Sequence, residues 1–242
     1  MSTRTVLELE RSGQPQQALA ECSRCLSVTD DPRLRADLLA VKARLLDWHG
    51  SRYDEAEAAL REELALRVTL GDDSIWRARF QLALMLVFQQ RAGEAQPLLR
   101  DVLASATDPG VLARAESLLG DLLVEREPVQ ARTLLLSALG RLTDNPDNYL
   151  RGHLELSLAW LAAVEGDLVQ AEASCREGLR RAAQAASPGL VGTAQLRLAQ
   201  ILGRAGRHAE AREHALAAAQ VGRDKGWQVL VDEAGRVAAT LV

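Results

Sequence analysis

Aromatic residues are scarce in this chain of 242 residues: two Phe, two Tyr and four Trp, 3% of the total, against a hydrophobic fraction of 48%. An interior must therefore be built from Ala, Leu and Val, which suits close helix–helix contact and suits sheets poorly. Lysine is scarcer still, since Lys42 and Lys225 stand alone among the 29 basic residues. The formal charge is −4, so the basic footprint of a nucleic-acid binder is missing. The aromatic platforms on which single strands stack are missing too. No apolar run approaches the ~20 residues of a membrane span; the longest is Leu82–Phe88. Met1 to Gly13 holds no apolar signal core, and three cysteines make an odd count without a disulfide framework. A reducing cytoplasm is the expected compartment. No P-loop, no G-x-G-x-x-G, no G-x-S-x-G and no nucleophile with a base at recognisable spacing occurs. The expectation is a non-enzyme without cofactor or metal, binding neither nucleic acid nor membrane.

What the sequence does contain is repetition. Ala18, Ala56, Ala95, Ala131, Ala171 and Ala211 recur at separations of 38, 39, 36, 40 and 40 residues. Four residues after each stands Cys22, Leu60, Leu99, Leu135, Cys175 or Ala215, and eight after stands Leu26, Leu64, Leu103, Leu139, Leu179 or Ala219. A period of 20–50 residues signals a stacked array, in which each unit touches mainly its neighbours. Turn signals fall between the alanines, at Asp31-Pro32, Gly71-Asp72-Asp73, Asp108-Pro109-Gly110, Asn145-Pro146 and Ser187-Pro188-Gly189. A helix should start at each, with Asp, Asn or Ser as N-cap where Pro follows at N1. Gly13, Gly50, Gly166 and Gly206 come five or six residues before a ladder alanine and permit the turn from a first helix A to a second helix B. The third unit offers Arg91-Ala92-Gly93 for that turn and the fourth Glu127-Pro128.

The result is an all-α chain, residues 1–242, of six helix pairs at about 1–30, 31–71, 72–107, 108–144, 145–186 and 187–225, with a capping helix at 226–242. In the fifth unit, helix A is expected over Asp147–Glu165 with one apolar face of Leu154, Leu158, Leu161 and Ala162, and helix B over Leu168–Ala185. The first helix A is short, Thr3 to Arg11. Pro97, two residues after Ala95, requires helix B of the third unit to start close to Glu94 or to kink. The capping stretch Trp227 to Leu241 keeps apolar surface at Leu241-Val242, so a further domain, or a second copy in a homodimer, could follow there.

Small, +4 large, +7 small and +8 apolar after a Gly-containing turn resembles the tetratricopeptide repeat. Gly166-Asp167, Leu168, Ala171, Cys175, Gly178 and Leu179 match its second helix, Leu119-Gly120 resembles the Leu-Gly of its first, and Tyr53 stands three before Ala56 at its aromatic position. The family's period is about 34 residues, whereas the mean here is 38.6. The longer repeat is similar to those of bacterial regulator sensor domains and of stand-alone bacterial adaptors. The resemblance implies a right-handed α-α superhelix, a TPR-like solenoid, with a concave groove lined by helix A. It implies a scaffold or adaptor for protein–protein interaction with a protein or peptide ligand, and no catalysis. The alternative is the effector- or peptide-sensing domain of a bacterial transcriptional regulator.

Carried over from the family, the groove-facing residues are Arg77, Gln81, Leu84 and Phe88 in the third unit and Arg114, Leu118, Asp121 and Glu125 in the fourth. The fifth gives His153, Ser157, Trp160 and Val164, and the sixth Thr193, Arg197, Gln200 and Arg204. Trp and Arg are typical binding anchors in a concave site. A chaperone-tail carboxylate clamp is not supported, because its Lys and Asn are absent from these lines. Cys22-Ser-Arg-Cys25 is a lone CxxC. Cys22 and Cys175 share a repeat position at which other units carry Leu or Ala, so core packing is expected rather than metal or redox chemistry. His208 and His214 are six apart, not the four that H-E-x-x-H requires, and Glu210 with His214 reads as a surface i,i+4 pair.

Overall fold

The computed structural model describes residues 3–47, 52–142 and 148–241, and within them the chain forms helices and no strand. Six antiparallel pairs follow one another: α1 (Thr3–Arg11) with α2 (Pro15–Val28), α3 (Pro32–Asp47) with α4 (Tyr53–Leu70), and α5 (Ile75–Phe88) with α6 (Ala92–Ser105). Then come α7 (Pro109–Leu123) with α8 (Pro128–Arg141), α9 (Asn148–Val164) with α10 (Leu168–Gln184), α11 (Pro188–Arg204) with α12 (His208–Lys225), and the single helix α13 (Gln228–Thr240) on α12. The contacts divide the chain into two compact units, Met1–Ala106 and Thr107–Val242.

All six ladder alanines have no exposed surface. The +4 residues are equally buried, from Cys22 to Ala215. The +8 leucines are only half-buried; the third core position is +7, occupied by Cys25, Glu63, Val102, Ala138, Gly178 and Ala218. At 100° per residue, +7 lies about 20° from the alanine meridian and +8 about 80°. Methyl-sized and smaller groups on this line let helices approach closely. A Cβ on Gly178 would come within 2.7 Å of Leu156 on α9, and one on Gly120 within 2.8 Å of Leu135 on α8.

Helix starts fall at the turn signals. Asp31 accepts from the Arg33 N–H at 2.9 Å and Asp108 from the Val111 N–H at 2.8 Å. Ser187 precedes Pro188 without a side-chain cap, and Asn145-Pro146 lies outside the described residues, as does Gly50. Helix A of the fifth unit is described over Asn148–Val164, with Asp147 outside the described residues and Glu165 in the following turn, and it buries Leu156, Ala159, Trp160 and Ala163 besides Leu154 and Leu161. The apolar face is wider than its sequence suggested because α9 packs on α7, α8, α10 and α11 together.

The turns of the first, fifth and sixth pairs share one geometry, whereas in the fourth the Glu127 N–H reaches only four residues back, to the Leu123 carbonyl at 2.7 Å, with no left-handed residue. Gly13, Gly166 and Gly206 have φ of +73°, +98° and +75°. In each, the next residue's N–H reaches five residues back, as Gln14 does to the Leu9 carbonyl at 3.0 Å, a Schellman closure. The third pair departs from the expected Arg91-Ala92-Gly93. Its left-handed residue is Gln90, at φ +61°, with Arg91 N–H bonded to the Leu86 carbonyl at 2.8 Å, while Gly93 lies inside α6. Position −5 from the alanine, not the nearest glycine, sets the turn. Pro97 sits in the second turn of α6; the carbonyl it leaves unpaired is that of Gly93, on an exposed surface open to water.

Two pairs of successive B helices are tied by a four-charge ring at the same repeat positions. Glu57 and Arg61 of α4 meet Arg91 and Glu94 at the start of α6, with Arg91–Glu57 at 2.6 Å and Arg61–Glu94 at 3.1 Å. Glu172 and Arg176 of α10 meet Arg207 and Glu210 at the start of α12 in the same way, with Arg207–Glu172 at 2.7 Å and Arg176–Glu210 at 3.9 Å.

Candidate functional site

Eleven of the sixteen sequence-derived groove residues are the candidate contacts, and they divide between the two units. Arg77 and Gln81 lie on α5, both exposed, with the Arg77 guanidinium 4.9 Å from the centre of the Trp76 ring. Gln81 borders a crevice of about 30 Å³ with Ala43, Arg44, Leu60, Leu84 and Met85. Of the other nine, eight lie on α7, α9 and α11, the A helices of the second unit, where α9 packs between α7 and α11, and Glu125 lies in the turn after α7.

Trp160 of α9 is the centre of this face. It is only 5% exposed, and two guanidinium groups from α11 lie over it: Arg204 at 4.5 Å and Arg197 at 5.5 Å from the ring centre. A cation over an indole is worth about 0.5–2 kcal/mol, so the ring holds both heads in place. Arg197 donates one bond, to the Gln200 side-chain carbonyl at 3.1 Å. Arg204 reaches Glu125, in the turn after α7, only at 3.6 Å. Each guanidinium carries five donors, so most remain unused.

The opposite edge is acidic. Asp121 of α7 faces His153 of α9, Oδ2 to Nε2 at 3.7 Å, and its buried Oδ1 has no hydrogen-bond partner. Ser157 is 1% exposed and donates to the His153 carbonyl at 3.0 Å, so it supports α9 from behind the surface. Arg114 is exposed on the same helix as Asp121, two turns nearer its start. α9 thus lies between the two cations over Trp160, one of them close to Glu125, and the Asp121 carboxylate beside His153.

No family model matches the sequence, and no curated protein matches it. Solved structures do. The apo form of RapI superposes with a TM-score of 0.67 at 13% identity, over 98% of this chain and 94% of that one. A Rap protein complexed with competence and sporulation factor gives 0.63 at 14%, over 98% and 74%. A signal-transduction ATPase of Pyrococcus horikoshii with a tetratricopeptide repeat sensor gives 0.58 at 15%, over 98% of this chain and 34% of that one. The fold is that of the tetratricopeptide repeat. In tetratricopeptide-repeat terms α7, α9 and α11 are the first helices of three successive units, which is why residues 35–40 apart in sequence share one surface.

The remaining candidates fall elsewhere. Cys22 and Cys175 are buried core thiols whose Sγ atoms approach the Leu38 and Ala194 carbonyls at 3.2 and 3.5 Å. Burial pushes them up to about 11 and about 12, so both stay protonated at neutral pH. Among the described residues no three His, Cys, Asp or Glu cluster as metal ligands, and no helix is long and apolar enough to cross a membrane. His214 is not paired with Glu210. Its Nδ1 lies 2.6 Å from the Gln195 side-chain carbonyl on α11, while Glu210 bonds Arg207. The sequence reading missed this because the i,i+4 rule covers one helix and not its neighbour. Burial holds the His214 imidazole below its ordinary pKa.

Proposed function

We propose that this chain is an interaction scaffold that binds an acidic peptide segment of a partner protein across α7, α9 and α11. The observation that carries the reading is the pair Arg197 and Arg204, stacked on Trp160 with donors to spare. Preorganised guanidinium groups favour bidentate carboxylate binding, and a head already fixed by a ring loses less freedom on binding. Asp121, beside His153, would reject a second carboxylate there and accept a basic or amide group, which fixes the direction of the segment. A second reading is an effector-sensing version on the same face, in which binding repacks α9 and α11 for a downstream regulator; a Rap protein solved in complex with competence and sporulation factor shares the fold.

Selection of a displayed random-peptide library on the purified chain tests the scaffold reading. Enrichment of Asp- or Glu-containing peptides is expected, with at least a tenfold affinity loss in Arg197→Glu/Arg204→Glu. Equal binding by wild type and double variant would refute it. Pairing of two copies through α13, where Trp227 is 42% exposed, belongs to the same reading. It predicts a mass by light scattering that rises with concentration and does not rise in Trp227→Glu.

A further inference from the structure

By sequence, the charge ring is complete at the second and fifth of the five steps between B helices; the third offers Gln96, Arg100, Glu127 and Gln130, the fourth Arg132, Leu136, Asp167 and Gln170, and the first is incomplete in its first half only. Ring positions fall one and five residues after a ladder alanine, and four and one before the next: Glu57, Arg61, Arg91, Glu94, then Glu172, Arg176, Arg207, Glu210. Between α2 and α4 the second half is present as Arg52 and Glu55, whose side chains pair through Arg52 Nε at 2.6 Å. The first half is Leu19 and Ser23 in place of Glu and Arg. Arg91 and Arg207 each use Nη1 for the carboxylate of the preceding B helix; with Leu19 opposite, Arg52 uses only Nε and Nη2, both on Glu55.

At the first step lies a pocket of about 610 Å³, lined by Gln16, Leu19, Ala20, Ser23, Lys42, Leu46, Arg52 and Glu55. That volume falls within the about 300–1,000 Å³ of small-ligand sites. Lys42, one of two lysines in the chain, lines it and forms no salt bridge among the described residues; it acts on Glu55 through its field. The two intact rings each balance two carboxylates against two guanidinium groups. Here two cations face one carboxylate, beside an apolar wall of Leu19, Ala20 and Leu46.

We infer that this pocket binds a carboxylate bearing a short apolar group, the acid on Lys42 Nζ and Arg52 Nη1 and the apolar group on Leu19 and Leu46. The external acid stands where the preceding helix supplies Glu57 or Glu172 in the complete rings. A free small acid and the carboxyl end of a peptide share this chemistry.

N-acetyl-leucine and its uncharged isostere N-acetyl-leucinamide are the probes, titrated into the full chain and followed by amide chemical shifts. The acid should saturate with a dissociation constant on the order of millimolar, fitting a ligand of this size, with shifts confined to α2, α3 and α4. The amide should bind at least fivefold more weakly. Lys42→Met should abolish the preference for acid over amide. Leu19→Glu/Ser23→Arg, which rebuilds the ring, should abolish binding while leaving the melting temperature equal or higher. Arg197→Glu/Arg204→Glu should change nothing here, which separates this pocket from the α7, α9, α11 face. A peptide ending in Ala-Leu with a free carboxylate that binds more than tenfold tighter than N-acetyl-leucine would identify a peptide end as the source; equal affinities would identify a free acid. Equal binding of acid and amide, shifts centred elsewhere, or undiminished binding by the ring-rebuilt variant would each overturn the assignment.

Discussion

At the scale of single residues, Glu63 is the exception that defines the rule at +7. It occupies the line where other units place Cys25, Val102, Ala138, Gly178 and Ala218, and it is 2% exposed. Its Oε1 accepts from Arg67 at 2.7 Å while Oε2 has no partner. Desolvation raises its pKa despite the guanidinium. Arg67 also holds Asp72 at 2.7 Å and Asp37 at 3.0 Å, so it does not depend on Glu63. The two ends of the pair therefore differ. Glu63→Ala should change stability by less than about 1 kcal/mol, because it removes a strained charge and leaves the residue other units use. Arg67→Met should cost about 3–5 kcal/mol, because it strands a buried carboxylate. A raised carboxyl pKa in the fold means that the folded chain holds the extra proton, so stability falls as pH rises through it. The Arg67→Met deficit should accordingly be larger at pH 7 than at pH 5 in urea titrations.

His214 supplies the opposite sign. Its folded pKa is depressed by burial, so between that value and about 6.5, the ordinary imidazole pKa, the unfolded chain binds more protons. Its contribution is complete above that window and is lost as pH falls through it. Melting between pH 7 and 5 should decline more steeply in wild type than in His214→Gln; parallel curves would mean that the imidazole is not held neutral by the fold.

At the scale of elements, much was legible. The alanine ladder, the short α1, the start of α3 at Pro32, of α7 at Pro109 and of α11 at Pro188 all follow from local chemistry: methyl-sized contacts, Asp caps and proline at N1. What escaped was set by distance in space. The third turn looked like Gly93 because glycine marks left-handed backbone, yet the helix lengths place that conformation at Gln90. A side chain there is strained by about 1–2 kcal/mol. Gln90→Gly should stabilise the chain by about 1 kcal/mol, net of the greater freedom glycine has when unfolded. The same change at Gly93→Ala, inside α6 and with open space around its Cβ, should stabilise through helix propensity instead. Denaturation midpoints of the two variants distinguish a turn at 90 from one at 93. Of the candidate face, the sequence named Trp160, Arg197 and Arg204 but not their stacking, because it could not show that 37 and 44 residues of separation close to van der Waals distance.

At the scale of the whole molecule, local contacts dominate: each helix packs chiefly on its neighbours in sequence, and none of the strongest pairings skips more than one helix. Stability in such an array is roughly a sum of unit and nearest-neighbour terms. The second unit, Thr107–Val242, has its own buried set from Ala113 to Leu241 and carries all nine residues of the candidate face outside α5. Produced alone, 107–242 should keep helical circular dichroism, melt cooperatively and retain the peptide affinity of the full chain within about threefold. Its first helix already has its Asp108 cap and its own partner α8, so little is lost at the cut. The single-domain reading of the repeats makes the contrary prediction, one transition in the full chain and an unfolded fragment. Far-ultraviolet melting of 107–242 beside the full chain decides between them: a broad, low-amplitude melt of the fragment would show that the terms on either side of Ala106 are inseparable.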